Sequence, residues 1–191
     1  MVEAHLQEGR VETSKVTDMV ENAQSVPEAA ETARQLFQDK DNSRFWPGPL
    51  VRRLESAGPR LALRWAIRLF QESLPARRRA GLESQQQRWL ADLSSLIDRD
   101  DVANHCNEVA HGIWNNDPDM NFLERGIARL YWALQNHQAG LLEPDYYLQV
   151  ASAVGLLADN GGSPGDMDKA TFERAIALFH RLLAETNGNV G

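Results

Sequence analysis

A chain of 191 residues with 42% apolar content is long enough for one domain with a hydrophobic core, which excludes wholesale disorder. A single cysteine excludes an intramolecular disulfide and fits a reducing compartment. No run approaches the roughly 18 apolar residues of a membrane span, and the acidic opening MVEAHLQEGRVE lacks the apolar stretch of a secretory leader, so a cytoplasmic protein without membrane contact is expected. The net charge of −7 argues against a nucleic-acid partner, yet residues 44–88 hold ten arginines against three acidic residues while both flanks are acidic.

Taken in chain order, the residues predict helices throughout. Strand-like alternation does not occur, and alanine, leucine, glutamine, glutamate and arginine dominate. A short polar helix is expected over about 13–24, with Val16, Met19, Val20 and Ala23 on one face. Ser25-Val-Pro-Glu28 is a capping box that opens a helix through Gln38. Phe45-Trp-Pro-Gly-Pro49 reads as a turn that stops any helix, followed by a short helix from Leu50 to Ser56. Pro59 opens the next helix, whose apolar face is Leu63, Ala66, Ile67, Phe70 and Leu74; Arg60, Arg64 and Arg68 then fall at i, i+4 and i+8 as a polar stripe. After Pro75, a helix over about 76–97 carries Leu82, Trp89, Leu90, Leu93, Leu96 and Ile97. Asp98 to Asp101 cap the helix bearing NHCNEVAH, which runs to about Trp114. Phe122 to Gln138 is helical and ends at Ala139-Gly140, Pro144 opens a helix to about Ala158, Asn160 to Gly165 is a flexible loop, and the last helix covers about 167–185.

The expected architecture is all-α: a compact bundle of about nine helices, with an irregular α-solenoid as the alternative. Residues 1–24 read as a polar N-terminal segment, 25–185 as a single helical domain and 186–191 as a flexible tail. Arg64 to Phe70, Arg125 to Tyr131 and Arg174 to Phe179 each carry a small residue, then isoleucine, then leucine followed by an aromatic. Their spacing is uneven, whereas helical arrays keep a fixed period of roughly 34 to 47 residues; this favours a shared packing solution over true repeats.

NHCNEVAH is the one stretch with the residue types of a reactive site. At about 100° per residue, Val102, Cys106, Val109 and Ile113 share a buried stripe, which makes the cysteine an inert apolar side chain. His105 falls at the edge of the stripe and His111 nearly opposite. Six residues separate them, about 9 Å of rise and about 120° of rotation, so they do not share an ion as His-Glu-x-x-His does. A metal-dependent enzyme would have to use His105, Glu108 and His111 with ligands from elsewhere. Asp117-Pro-Asp119-Met-Asn121 imitates the start of a calcium loop, but Phe122 stands where the loop needs glycine and Ala128 where it needs glutamate. The expectation is no catalytic residue, no cofactor and no metal.

The basic middle is either paired with the acidic remainder of the chain or offered to a partner, because arginine makes forked contacts with carboxylates. Candidate contacts are Arg60, Arg64, Arg68, Arg77, Arg78, Arg79 and Trp46; the tryptophan lies in a proline-bound loop, and tryptophan and arginine anchor many interfaces. The favoured place for Trp46 is nevertheless in the core beneath that loop, with the exposed anchor as the alternative. The partner would be a protein with an acidic surface, and the charge separation also permits a homo-oligomer.

The order Ala62, Ala66, Leu74-Pro75, Arg77, Ala80 and Trp89, followed by Glu143-Pro144, Val150 to Ala158 and Phe172-Glu-Arg174, resembles a proteobacterial all-helical family of unknown function. Its members often occur among genes of type VI secretion. This chain lacks that family's proline-rich stretch between the two halves. The resemblance implies an adaptor or accessory protein of bacterial origin and transfers no catalytic residue. An immunity-type protein that neutralises a toxin, with acidic residues of the C-terminal half facing a basic target, is the other non-enzymatic reading.

Overall fold

The local signals at Ser25 set the first helix. In the computed structural model, which describes residues 25–74, 83–115, 122–159 and 168–188, Ser25 Oγ accepts the Glu28 N–H at 3.3 Å and Glu28 Oε2 accepts the Ser25 N–H at 2.8 Å. Two otherwise orphaned donors are satisfied reciprocally. Helix α1 (Val26–Gln38) leads through a 3₁₀ turn (Ser43–Phe45) to α2 (Pro47–Ala57), α3 (Leu61–Ser73), α4 (Glu83–Leu96), α5 (Ala103–Asn115) and α6 (Phe122–Gln138). A wide π-type turn (Leu142–Tyr146) then precedes α7 (Tyr147–Ala158) and α8 (Lys169–Gly188). No strand forms among the described residues, and no helix among them is long and apolar enough to cross a membrane. Eight of the nine expected helices are present; the helix over 13–24, Asp117 to Asn121, the loop 160–165 and Arg77 to Arg79 lie outside the described residues.

Helix α3 is the centre of the bundle. Leu63, Trp65, Ala66, Leu69 and Phe70 are fully buried, and the helix touches α2, α4, α6, α7 and α8. In a solenoid each unit meets only its chain neighbours; here α3 meets α8 directly, so the compact-bundle expectation holds. The three echoed segments fit one another. Trp65 Nε1–H of α3 donates to the Ala175 carbonyl of α8 at 3.0 Å, and Phe70 of α3 lies against Gly126 of α6. The small residue of one echo receives the aromatic of another.

Four sequence expectations are corrected. Helix α2 begins at Pro47, not Leu50, because the first turn of a helix needs no N–H from Pro47 or Pro49. That early start carries Trp46 inward. It is 0% exposed, 5.0 Å from Phe172 and 6.2 Å from Phe37, with Phe37 and Phe172 stacked at 4.1 Å, so it is no exposed anchor. Helix α3 begins at Leu61, after a turn in which Arg60 adopts a left-handed φ of 61°, and this takes Arg60 out of the stripe. Helix α8 runs to Gly188, past the tail expected from 186, with Thr186 Oγ1 donating to the Leu182 carbonyl at 2.9 Å.

At Gly126 a Cβ would stand 2.6 Å from Phe70 Cζ and 3.2 Å from the Ala153 carbonyl oxygen. Phe70 is fully buried, so its ring can shift only by displacing core neighbours. Gly126→Ala should therefore lower stability by about 1–3 kcal/mol net of the roughly 1 kcal/mol a helical glycine-to-alanine change ordinarily gains. Denaturant midpoints check this, and Phe70→Leu in the same chain should restore part of the loss.

Candidate functional site

A largely buried polar cluster lies where α2, α3, α6 and the π-type turn meet. The Glu55 side chain is 7% exposed. Its Oε1 accepts the Arg60 backbone N–H at 2.8 Å and faces His137 Nε2 at 3.2 Å, and its Oε2 accepts the Tyr146 hydroxyl at 2.8 Å. Arg60 Nε–H donates to His137 Nδ1 at 3.3 Å, and its guanidinium also reaches the Ile97 carbonyl and, at 3.6 Å, Asp100. A guanidinium only donates, so Nδ1 must accept and the hydrogen of His137 sits on Nε2, directed at Glu55. Burial, then the charge of Glu55 and the hydrogen bond to it, push the Tyr146 hydroxyl well above its ordinary range.

This cluster fixes the segment 141–148, LLEPDYYL. Gly140, at φ 73°, ends α6 in a Schellman turn: its N–H meets the His137 carbonyl at 3.1 Å, and the Leu141 N–H meets the Asn136 carbonyl at 2.9 Å. Both Arg52 terminal nitrogens bind the two Glu143 oxygens, and the guanidinium lies over Tyr147 at 4.9 Å. Held on both sides, the segment presents Leu141, Leu142 and Leu148 at 49%, 37% and 57% exposure. Three outward leucines within eight residues exceed the scattered apolar exposure of an ordinary surface.

The arginine stripe is matched within the chain. Arg64 pairs with Asp98 and Arg68 with Glu185 at 3.3 Å, both partly open to solvent, while Arg60 is turned inward to His137. The chain's other acids thus meet the basic middle at these positions. On α5, Cys106 is fully buried and its thiol is pushed up to about 12 by burial and by the charge of Asp92. His105 meets Asp92 of α4 at 3.2 Å, and the same Asp92 oxygen accepts the Tyr131 hydroxyl at 2.8 Å. His111 stands on the other side of α5, edge-on to Trp132 at 5.6 Å. The two histidines therefore diverge, as their spacing predicts, and among the described residues no three His, Cys, Asp or Glu side chains converge on a metal position.

A second cluster lies on the facing sides of α5 and α6. The guanidinium carbons of Arg125 and Arg129 stand 6.0 and 5.9 Å from the Trp114 ring centre, and Trp114 is 5.3 Å from Trp132. Arg129 Nη1 donates to Gln149 Oε1 at 3.0 Å. Neither the Glu55 cluster nor this one was named from the sequence. The i, i+4 spacing of Arg125 and Arg129 beside the apolar positions of α6 was a usable signal for the second; Glu55 and His137 are too distant in sequence to signal each other. The chain matches no family model, no curated protein and no solved structure.

Tyr146→Phe leaves Glu55 Oε2 buried without its donor and should cost about 1–3 kcal/mol at neutral pH, measured by denaturant unfolding. The raised folded pKa of Tyr146 also has a signed consequence. Above the ordinary tyrosine value of about 10 the unfolded chain loses this proton while the folded one keeps it, so stability present below that pH falls as pH rises. Tyr146→Phe should flatten this alkaline decline in a series of unfolding curves without abolishing it, because Tyr131, Tyr147 and Cys106 are raised as well, each chiefly by burial.

Proposed function

We propose that this chain is a non-enzymatic protein-interaction module that presents the 141–148 turn to a partner protein. The observation that carries the reading is the rigid display of Leu141, Leu142 and Leu148 on a segment locked by Arg52, Glu55 and His137. A backbone segment already held before binding loses little entropy on association, and the apolar side chains it carries suit the centre of an interface. Asp145 lies exposed among the leucines, while Glu143 is already paired with Arg52, so a partner that covers Asp145 supplies a compensating positive charge beside an apolar contact. That charge sign suits the immunity-type reading, while the family resemblance favours an adaptor or accessory role; both use the same surface.

A second surface is favoured by a separate observation. Arg64 and Arg68 have side chains 40% and 49% exposed, and exposed ion pairs are each worth only about 0–1 kcal/mol, so an acidic partner could displace Asp98 and Glu185. Affinity capture from native cytosol with mass spectrometry distinguishes the two. Proteins enriched by the wild type should be lost with Leu141→Ser/Leu142→Ser/Leu148→Ser and kept with Arg64→Ala/Arg68→Ala, helical content being checked by circular dichroism. Loss with the arginine variant alone transfers the function to the stripe, and loss with neither removes both surfaces.

A further inference from the structure

The α5–α6 cluster has an excess of positive charge that the described residues do not match. Arg125 and Arg129 are half-buried and one helical turn apart, and the Nε of each is buried without a hydrogen-bond partner among the described residues. Arg53 also has a buried Nε of this kind, but its Nη1 donates to Ser56 Oγ at 2.9 Å and it stands apart from the pair. For Arg129 the terminal contact is the neutral amide oxygen of Gln149, and for Arg125 it is the face of Trp114. Burial, then repulsion from Arg125, lowers the Arg129 pKa, so the two guanidiniums sense each other through a poorly solvated space. Trp114 stands in the last turn of α5. The carbonyl end of a helix contributes roughly half an elementary negative charge, which leaves most of the two positive charges uncompensated among the described residues.

The geometry points to an oxyanion-binding site formed by Arg125, Arg129, Trp114 and Gln149, which takes a carboxylate or phosphate group whose carrier lies on the Trp114 ring. Two guanidiniums offer donors to both oxygens of such a group, and the indole gives an apolar floor whose face also attracts the cations. Gln149 supplies an amide donor once its side chain turns. The site adjoins the leucine-bearing turn, Gln149 following Leu148 in the chain, but its argument does not rest on the interaction proposed there.

Titration of the folded protein with acetate, inorganic phosphate and a short glutamate-rich peptide, read from indole N–H signals by NMR, tests the assignment. Saturable binding should move the Trp114 and Trp132 signals. It should weaken about tenfold to a hundredfold in Arg125→Gln/Arg129→Gln, as expected when charge-assisted hydrogen bonds are lost, and remain unchanged in Arg64→Gln/Arg68→Gln. Arg125→Lys/Arg129→Lys, which keeps the charge without the fork, should bind at an intermediate level and shows that loss in the glutamine variant is not misfolding. Preference for phosphate or for the peptide identifies which oxyanion the site serves. Equal affinity in wild type and the glutamine variant, or no saturation with any of the three probes, overturns the site. So does binding seen only when Asp117 and Asp119 are changed to asparagine, because the occupant would then be the chain's own carboxylates.

Discussion

A carboxylate taken out of water must be matched by donors and positive charge or it destabilises the fold by several kcal/mol, and the buried side chain of Glu55 imposes that condition on five segments at once. It takes hydrogen bonds from Arg60 at the start of α3, His137 at the end of α6 and Tyr146 in the π-type turn. Arg60 extends the link to the end of α4 through the Ile97 carbonyl and Asp100. Each donor comes from a different part of the chain, so the carboxylate is satisfied only when all of them have arrived. Apolar packing around α3 supplies the driving force for collapse, while the Glu55 cluster selects one arrangement of the helix ends.

His137 shows how completely that arrangement uses its groups. One ring nitrogen receives the Arg60 N–H and the other directs its hydrogen to Glu55. Glutamate, histidine, tyrosine and arginine are also the residue types of general acid–base sites, where at least one atom must reach a substrate. Here the same four side chains are aimed at one another, and what they position is backbone: the Schellman turn after α6 and the leucine-bearing segment beyond it.

Local signals explain which parts of this were legible in the sequence. The capping box at Ser25 and Glu28, the Ala139-Gly140 stop and the helical spacing around Phe70 act within one or two turns, and the helices follow them. Cys106 could be placed in the core, and the two histidines on different faces, from angle alone. Arg60 could not be placed correctly, because its position on a stripe assumed that the helix began at Pro59. The turn between α2 and α3 instead takes it to a left-handed φ, and the Glu55 and His137 that receive it there are brought near only by the tertiary fold. The core place favoured for Trp46 is the one it takes; its other reading, as an exposed anchor, arose because Pro47-Gly-Pro49 reads as a break in the chain, yet prolines fit a first helical turn as well as a loop. The leucines of 141–148 were visible as residues, but their exposure depends on the contacts that hold the turn.

Charge in this fold acts more on alignment than on stability. Between α3 and α8 the pairs run in opposite order, Arg68 with Glu185 and Glu72 with Arg181. Each pair is exposed and weak, but sliding α8 by one turn would set Arg68 against Arg181, or Glu72 against Glu185, so the correct seating is favoured over its nearest alternatives. Arg52 with Glu143 and Arg64 with Asp98 extend this matching across other seams, which is where much of the basic middle is absorbed. Arg125 and Arg129 depart from that pattern. They are like charges at i, i+4 on one helix, a spacing that costs a few tenths of a kcal/mol in an isolated helix, and burial raises the cost. The Trp114 face offsets part of it. Among the described residues Arg52, Arg64, Arg68 and Arg181 are met across helices by carboxylates and Arg174 by the Ser73 hydroxyl, so the imbalance at α5 and α6 is a property of that position and not of the overall composition.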